Sequence, residues 1–183
     1  VSFVHRDRAG YPLETAPRGW RTDRVPVLAY GSNACPSKIT WLRETFGLAG
    51  DVVVARAECT GLSAVWAAGL RGRDARRPAT IAAAPGVVEH HAVWFATADQ
   101  LRVLDVCEGR GERYHLARLH TGAVTLDDGT PVADPLAYVG AAPERLPLLV
   151  EGHPVRTAAL AQREAITLRG EPAASHGLSV TVL

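Results

Sequence analysis

The sequence predicts an α+β fold: a small mixed β-barrel or strongly curled sheet with about three helices. Three observations lead there. Apolar runs of strand length dominate the chain, turn residues separate them at short intervals, and only three segments carry helical spacing. The 183 residues suffice for one sizeable core. They divide into an irregular N-terminal arm, 1–24, and a single domain, 25–183.

Taken in order, residues 1–24 are polar and broken by Pro12, Pro17 and Gly19, with Tyr11 and Trp20 available to pin the arm to the body. Residues 25–30 read as a buried strand. Pro36 then sits where a helix starts, Ile39, Leu42 and Phe46 give it an apolar face, and Gly47 ends it. Residues 51–58 and 62–68 are β-rich. Residues 69–78, with Arg71, Arg73, Arg76 and Arg77, read as a solvated loop. Residues 79–84 form a short strand, Pro85 and Gly86 a turn, and 87–96 a longer strand. Thr97 followed by Gln100 is a capping-box pattern for a helix that runs to Glu108. Residues 113–120 and 123–126 are strands, Asp127, Asp128 and Gly129 a hairpin turn, and 132–139 a strand interrupted by Pro135. Residues 156–168 give the last helical pattern and 178–183 a terminal strand.

Composition narrows the function classes. A hydrophobic fraction of 47% and a charged fraction of 21% are ordinary for a soluble globular protein. A net charge of +1 offers no field for nucleic acid or an anionic membrane. No apolar run is long enough to span a bilayer, and His5, Arg6, Asp7 and Arg8 stand where a signal peptide would need an apolar core. Cys35, Cys59 and Cys107 form no CxxC pair, so we expect a reducing, cytoplasmic setting without disulfides and no metal-ligand spacing.

Two places carry chemistry. Tyr30-Gly31-Ser32-Asn33 follows the first strand directly. A glycine there lets the backbone approach a ligand, and successive N–H groups can hold an anion; Asn33 can serve the turn or cap the next helix. The same residues also suit a plain strand–turn–helix junction. Glu108 lies about 20° from Leu101 and about 40° from Leu104 on a helical wheel, so it shares the core stripe. Burial, the negative end of the helix and the neighbouring Asp105 would together raise its pKa into the range of a general acid/base. A helix end equally admits a solvent-facing acid.

The ordered set resembles the γ-glutamylcyclotransferase-like family, which includes γ-glutamylamine cyclotransferases and AIG2-like proteins. The resemblance is carried by Leu28-Ala29-Tyr30-Gly31-Ser32-Asn33, similar to that family's YGSN signature, by Ala79-Thr80-Ile81 with Pro85-Gly86, by Val93-Trp94-Phe95, and by Leu104-Asp105-Val106-Cys107-Glu108-Gly109 with Tyr114 following. It spans roughly residues 25–139. It implies a γ-glutamylcyclotransferase-like fold and a pocket in which Tyr30, Gly31, Ser32 and Asn33 bind the γ-glutamyl group through backbone amides. Glu108 is then the acid/base, and Tyr114 and Tyr138 are pocket phenols. The implied reaction is intramolecular attack of the substrate's α-amine on its γ-carbonyl, releasing 5-oxoproline or an analogous lactam, with no cofactor and no metal. The partner is a small-molecule γ-glutamyl substrate. Ala34 stands where that family carries Leu or Met, which reshapes the pocket. A ligand-binding module without turnover and an amide hydrolase with Glu108 as general base are the alternatives.

The remaining polar residues read more simply. His90 and His91 alternate along a strand and point to opposite faces, as structural residues do. Ser32 lacks a nucleophile-elbow pattern. Cys107 reads as a small hydrophobe on a helix flank. Arg110 and Arg113, beside Glu108, are candidates for substrate contact or for salt bridges, and one of the arginines in 71–77 could reach a substrate carboxylate.

Overall fold

The computed structural model describes all residues, Val1–Leu183. Twelve strands and three α-helices follow one another as β1 (Phe3–Arg6), β2 (Ala9–Tyr11), β3 (Val25–Ala29), α1 (Pro36–Phe46), β4 (Val52–Trp66), β5 (Ala79–Ala96), α2 (Ala98–Glu108), β6 (Tyr114–Leu119), β7 (Ala123–Leu126), β8 (Leu136–Gly140), β9 (Leu148–Val150), β10 (His153–Pro154), α3 (Gln162–Ala165), β11 (Glu171–Pro172) and β12 (Val180–Val182). The main sheet has the order β12-β6-β8-β3-β5-β4-β1-β2, with β7 also on β4, and a three-stranded sheet joins β10, β9 and β11. Only β3 and β8 pair in parallel.

The sheet is open but curled. Val4 of β1 and Ala117 and Leu119 of β6 lie near opposite ends of the strand order, yet share one buried cluster. A flat sheet would keep them apart. The central strands are apolar on both faces, so alternate residues feed two cores. Val53, Ala55, Val93 and Phe95 face the inside of the curl. Val52, Val54, Ala92 and Trp94 face α1 and α2, meeting Ile39, Leu42 and Leu104.

Both long helices form as their ends predict. α1 begins at Pro36 and stops at Gly47, whose φ of 68° is left-handed. Thr97 Oγ1 accepts from the Gln100 N–H at 3.2 Å, and Gln100 Oε1 accepts from the Thr97 N–H at 3.2 Å. Gln100 also donates to the carbonyls of Ala49 and Asp51, so it is buried yet satisfied.

Four expectations are corrected. The arm is not irregular: β1 pairs with both β2 and β4, and Val4 and His5 are fully buried. Trp20 does pin the segment, edge-on to Phe95 at 4.7 Å between ring centres. The segments 51–58 and 62–68 are one strand, β4, and 79–84 and 87–96 are one strand, β5; their register shifts between Thr60 and Leu62, where Gly61 adopts a φ of +77°. The helix expected over 156–168 shrinks to Gln162–Ala165. The backbone of the preceding stretch is taken by β4: Trp66 N–H donates to the Val155 carbonyl and Thr157 N–H to the Ala64 carbonyl, both at 2.9 Å.

A buried polar cluster sits where β4 and β5 lose register. Glu89 accepts from Ser63 Oγ at 2.6 Å, from the Ala64 N–H at 3.0 Å and from Arg156 Nε at 2.7 Å, and His91 Nε2 lies 2.7 Å from its second oxygen. Burial pushes the Glu89 carboxyl up, but these bonds more than offset it and hold it below its ordinary value. His90 points the other way, exposed, 3.8 Å from Glu58.

Candidate active site

A cavity of about 650 Å³ opens at the C-terminal end of β3. It is lined by the Tyr30–Asn33 loop, the last turn of α2, the start of β6 and the loop 69–78. Its size suits a small ligand.

Asn33 lies in a single 3-10 turn, Ser32–Ala34, between β3 and α1. It does not cap α1, whose N-cap is Cys35. Instead Asn33 Nδ2 donates to Glu108 Oε1 at 2.8 Å. Asn33 Oδ1 is buried and has no hydrogen-bond partner in the protein. Gly31 and Ser32 are exposed on the cavity wall, and the Gly31 N–H donates to no protein acceptor. Gly31 has φ −130°, so its turn needs no left-handed residue; what it contributes is an open wall, where an added Cβ would meet only Ala79 Cβ at 4.0 Å.

Glu108 is half-buried on the cavity wall. The two negative features expected to crowd it are each answered by an arginine. Asp105 is paired with Arg110 at 2.9 Å. Arg113 Nη2 donates to the Cys107 carbonyl at 2.9 Å, and its guanidinium lies over Gly109 at the helix end. Arg110 is thus a salt bridge, whereas Arg113 lines the cavity.

The three tyrosines differ in role. Tyr30 donates its hydroxyl to the Tyr138 carbonyl at 2.5 Å, and burial, followed by Tyr114 and Glu108, holds its phenol well above the usual range. Tyr138 donates to Asp105 Oδ1 at 2.8 Å; its ring lines the cavity but its hydroxyl is committed. Tyr114 makes only a long bond to the Ala79 carbonyl, 3.3 Å. Burial first and Glu108 second push Tyr114 up to about 12, against the pull of Arg145, Arg113 and Arg71.

The arginine loop is more than a solvated turn. Arg77 is 4% exposed and donates to the carbonyls of Ala67, Ala68, Ala165 and Leu168, while Gln162 bonds both its N–H and its carbonyl. Lys38 of α1 and Arg73 of the loop both lie over the Trp41 ring, at 4.1 and 5.4 Å. Lys38 also reaches Cys107 Sγ at 3.4 Å, a thiol that burial raises above its ordinary pKa. Arg145 also lines the cavity, a residue that sequence reasoning passes over: an arginine after Pro143 carries no signal until the register of β8 is known.

Among solved structures, the chain is similar to a γ-glutamyl cyclotransferase, with TM-score 0.51 and 18% identity over 64% of this chain and 66% of that one. It is also similar to an uncharacterized protein from Homo sapiens, with TM-score 0.53 and 18% identity over 66% of this chain and 68% of that one. The chain therefore spans about two thirds of the length of these structures. No family model and no curated protein matches the sequence. The likeness is one of fold, a mixed sheet with helices arranged as in γ-glutamyl cyclotransferase. No helix is long and apolar enough to cross a membrane.

Proposed function

We propose that this chain is a cofactor-independent cyclotransferase-type enzyme of the cytoplasm. It releases 5-oxoproline, or an analogous lactam, and a free amine from a small γ-glutamyl amine or peptide. One observation carries the reading: the Asn33–Glu108 hydrogen bond, which holds a single carboxylate against the loop after β3, on the wall of the cavity.

In the reaction, the substrate's α-amine nitrogen bonds to its own γ-carbonyl carbon, closing a five-membered ring. Glu108 takes one proton that the α-ammonium gives up and delivers it to the departing amine nitrogen as the γ-amide C–N bond breaks; the second proton lost by the ring nitrogen follows to the amine, which leaves as an ammonium, so the carboxylate is restored each turnover. The uncommitted Gly31 N–H is suited to the oxygen on which negative charge develops. Asn33 Oδ1, without a partner in the protein, is an acceptor for the α-ammonium. Nucleophile and electrophile belong to one molecule, so binding need only select a folded conformer. The shared fold supports this chemistry without specifying the leaving amine.

Mass-spectrometric product analysis over a panel of γ-glutamyl amines and peptides, wild type against Glu108→Gln, tests the proposal. Lactam from wild type alone supports it. Free glutamate instead reassigns Glu108 as the general base of a hydrolase, and ligand binding with no product makes the chain a binding module.

A further inference from the structure

The chain as a whole carries a net charge of only +1, yet its cavity is strongly cationic. Lys38, Arg71, Arg73, Arg76, Arg113 and Arg145 line it, besides the fully hydrogen-bonded Arg77. The sole carboxylate on the wall is Glu108. Asp74, within the loop but not on the cavity wall, answers Arg71 at 2.7 Å and lies 3.9 Å from Arg73. The γ-glutamyl group itself, with one α-carboxylate and one α-ammonium, leaves this excess uncompensated.

Arg145 shows the most. It is 7% exposed, has no carboxylate partner, and its side chain makes one long bond, to the Glu144 carbonyl at 3.4 Å. The residue is buried, yet its unbonded guanidinium nitrogens are not sealed from solvent, so on the cavity wall they are free to pair with an anion from outside the protein. Its backbone is also fixed from two sides. The Glu144 and Leu146 carbonyls accept from the Gly69 and Ala68 N–H groups at 2.8 and 2.9 Å. Gly140, at the end of β8, lies directly beneath the Arg145 carbonyl, where any Cβ would collide. A guanidinium on so rigid a turn is a preorganised receptor for an oxyanion. Glu108, Tyr114 and Arg145 line the same cavity.

We propose that the amine released from this site carries two or more negative charges of its own, held by Arg145 with Arg113 and the arginines of the 69–78 loop. That the anionic group belongs to a released amine rests on the cyclotransferase reading; the anion subsite itself does not. The shared chemistry is oxyanion recognition, whether by two carboxylates or one phosphate.

The test is calorimetric titration of the non-reacting Glu108→Gln protein with two ligand pairs: γ-glutamylglutamate against γ-glutamylalanine, and γ-glutamyl-phosphoethanolamine against γ-glutamylethanolamine. The more anionic member of at least one pair should bind about tenfold tighter or more, an advantage that shrinks with added salt. The pair with the larger ratio identifies carboxylate or phosphate as the source. Adding Arg145→Gln should erase the advantage. Arg76→Gln, at an exposed position whose side chain bonds nothing in the protein, should reduce it without any risk to folding. Equal affinities within both pairs, no binding of any ligand, or an advantage untouched by both substitutions overturns the proposal. If the advantage is present but wild-type protein forms no lactam from the preferred ligand, the subsite stands and the cyclotransferase reading falls.

Discussion

Asn33 and Glu108, 75 residues apart, are joined by an amide-to-carboxylate hydrogen bond of 2.8 Å. The contact fixes which way the acid points, because the amide can donate to it only from the loop side. Asn33→Asp replaces that donor by a second carboxylate at nearly the same volume. The acid then loses the donor that orients it and gains a like charge beside it, so kcat/KM should fall by about tenfold or more. An unchanged kcat/KM would separate Asn33 from the working acid.

Gly31 tests the loop by bulk instead of charge. Its φ of −130° is open to any residue, and a Cβ there has Ala79 at 4.0 Å as its nearest neighbour. Gly31→Val should therefore leave the thermal midpoint nearly unchanged while its methyl groups fill the cavity wall. We expect ligand affinity to fall by at least about tenfold, read by titration of Glu108→Gln with and without the second substitution. Unchanged affinity would take the loop out of the binding site.

Glu89 gives a prediction about stability and pH. Its native pKa is held below the reference 4.5 by four partners, despite burial. The native state thus binds its proton less readily than the unfolded chain. The stabilisation is complete above about pH 4.5 and is lost as pH falls through the lower native value. Glu89→Gln should cost about 1–3 kcal/mol near neutral pH, since Arg156 and His91 lose their anion. The gap from wild type should narrow below about pH 4.5, as followed by chemical denaturation across pH. A gap independent of pH would mean that the charge contributes nothing.

The physical limits of sequence reading are visible in particular residues. α1 and the capping box of α2 were legible, because caps and apolar spacing are local signals; spacing left Glu108 open between core and solvent, and only the family resemblance put it in one pocket with the loop after β3. β1 was not, because its central His5 is polar; only the fold shows that Thr40 Oγ1 and Arg43 Nε satisfy its two ring nitrogens. The long strands β4 and β5 read as four pieces because Gly61 and Gly86 look like breaks, when they absorb a bulge. Arg145 was invisible, and Arg113 and the loop arginines could be named singly but not gathered into one wall, for the same reason as the Glu89 cluster. Each is assembled from segments distant in the chain, and single arginines have no periodicity.

Tyr114 and Tyr138 were expected to serve alike, and the structure separates them. Tyr138 donates to Asp105 at 2.8 Å, and Asp105 keeps Arg110 if that bond is lost. Tyr138→Phe should cost about 1 kcal/mol of stability and leave kcat/KM within about twofold of wild type. Tyr114 has only a 3.3 Å bond to hold its hydroxyl, so that group is the more available donor on the cavity wall. With its pKa pushed up to about 12, it keeps its proton throughout the neutral range, and its contribution should not titrate there. Tyr114→Phe should lower kcat/KM by about tenfold at every pH between roughly 6 and 9, with little change in thermal midpoint. Measuring both variants side by side makes the assignment decisive. A larger activity loss in Tyr138→Phe would place the working phenol on β8, and equal losses would deny either hydroxyl a separate part in binding or turnover.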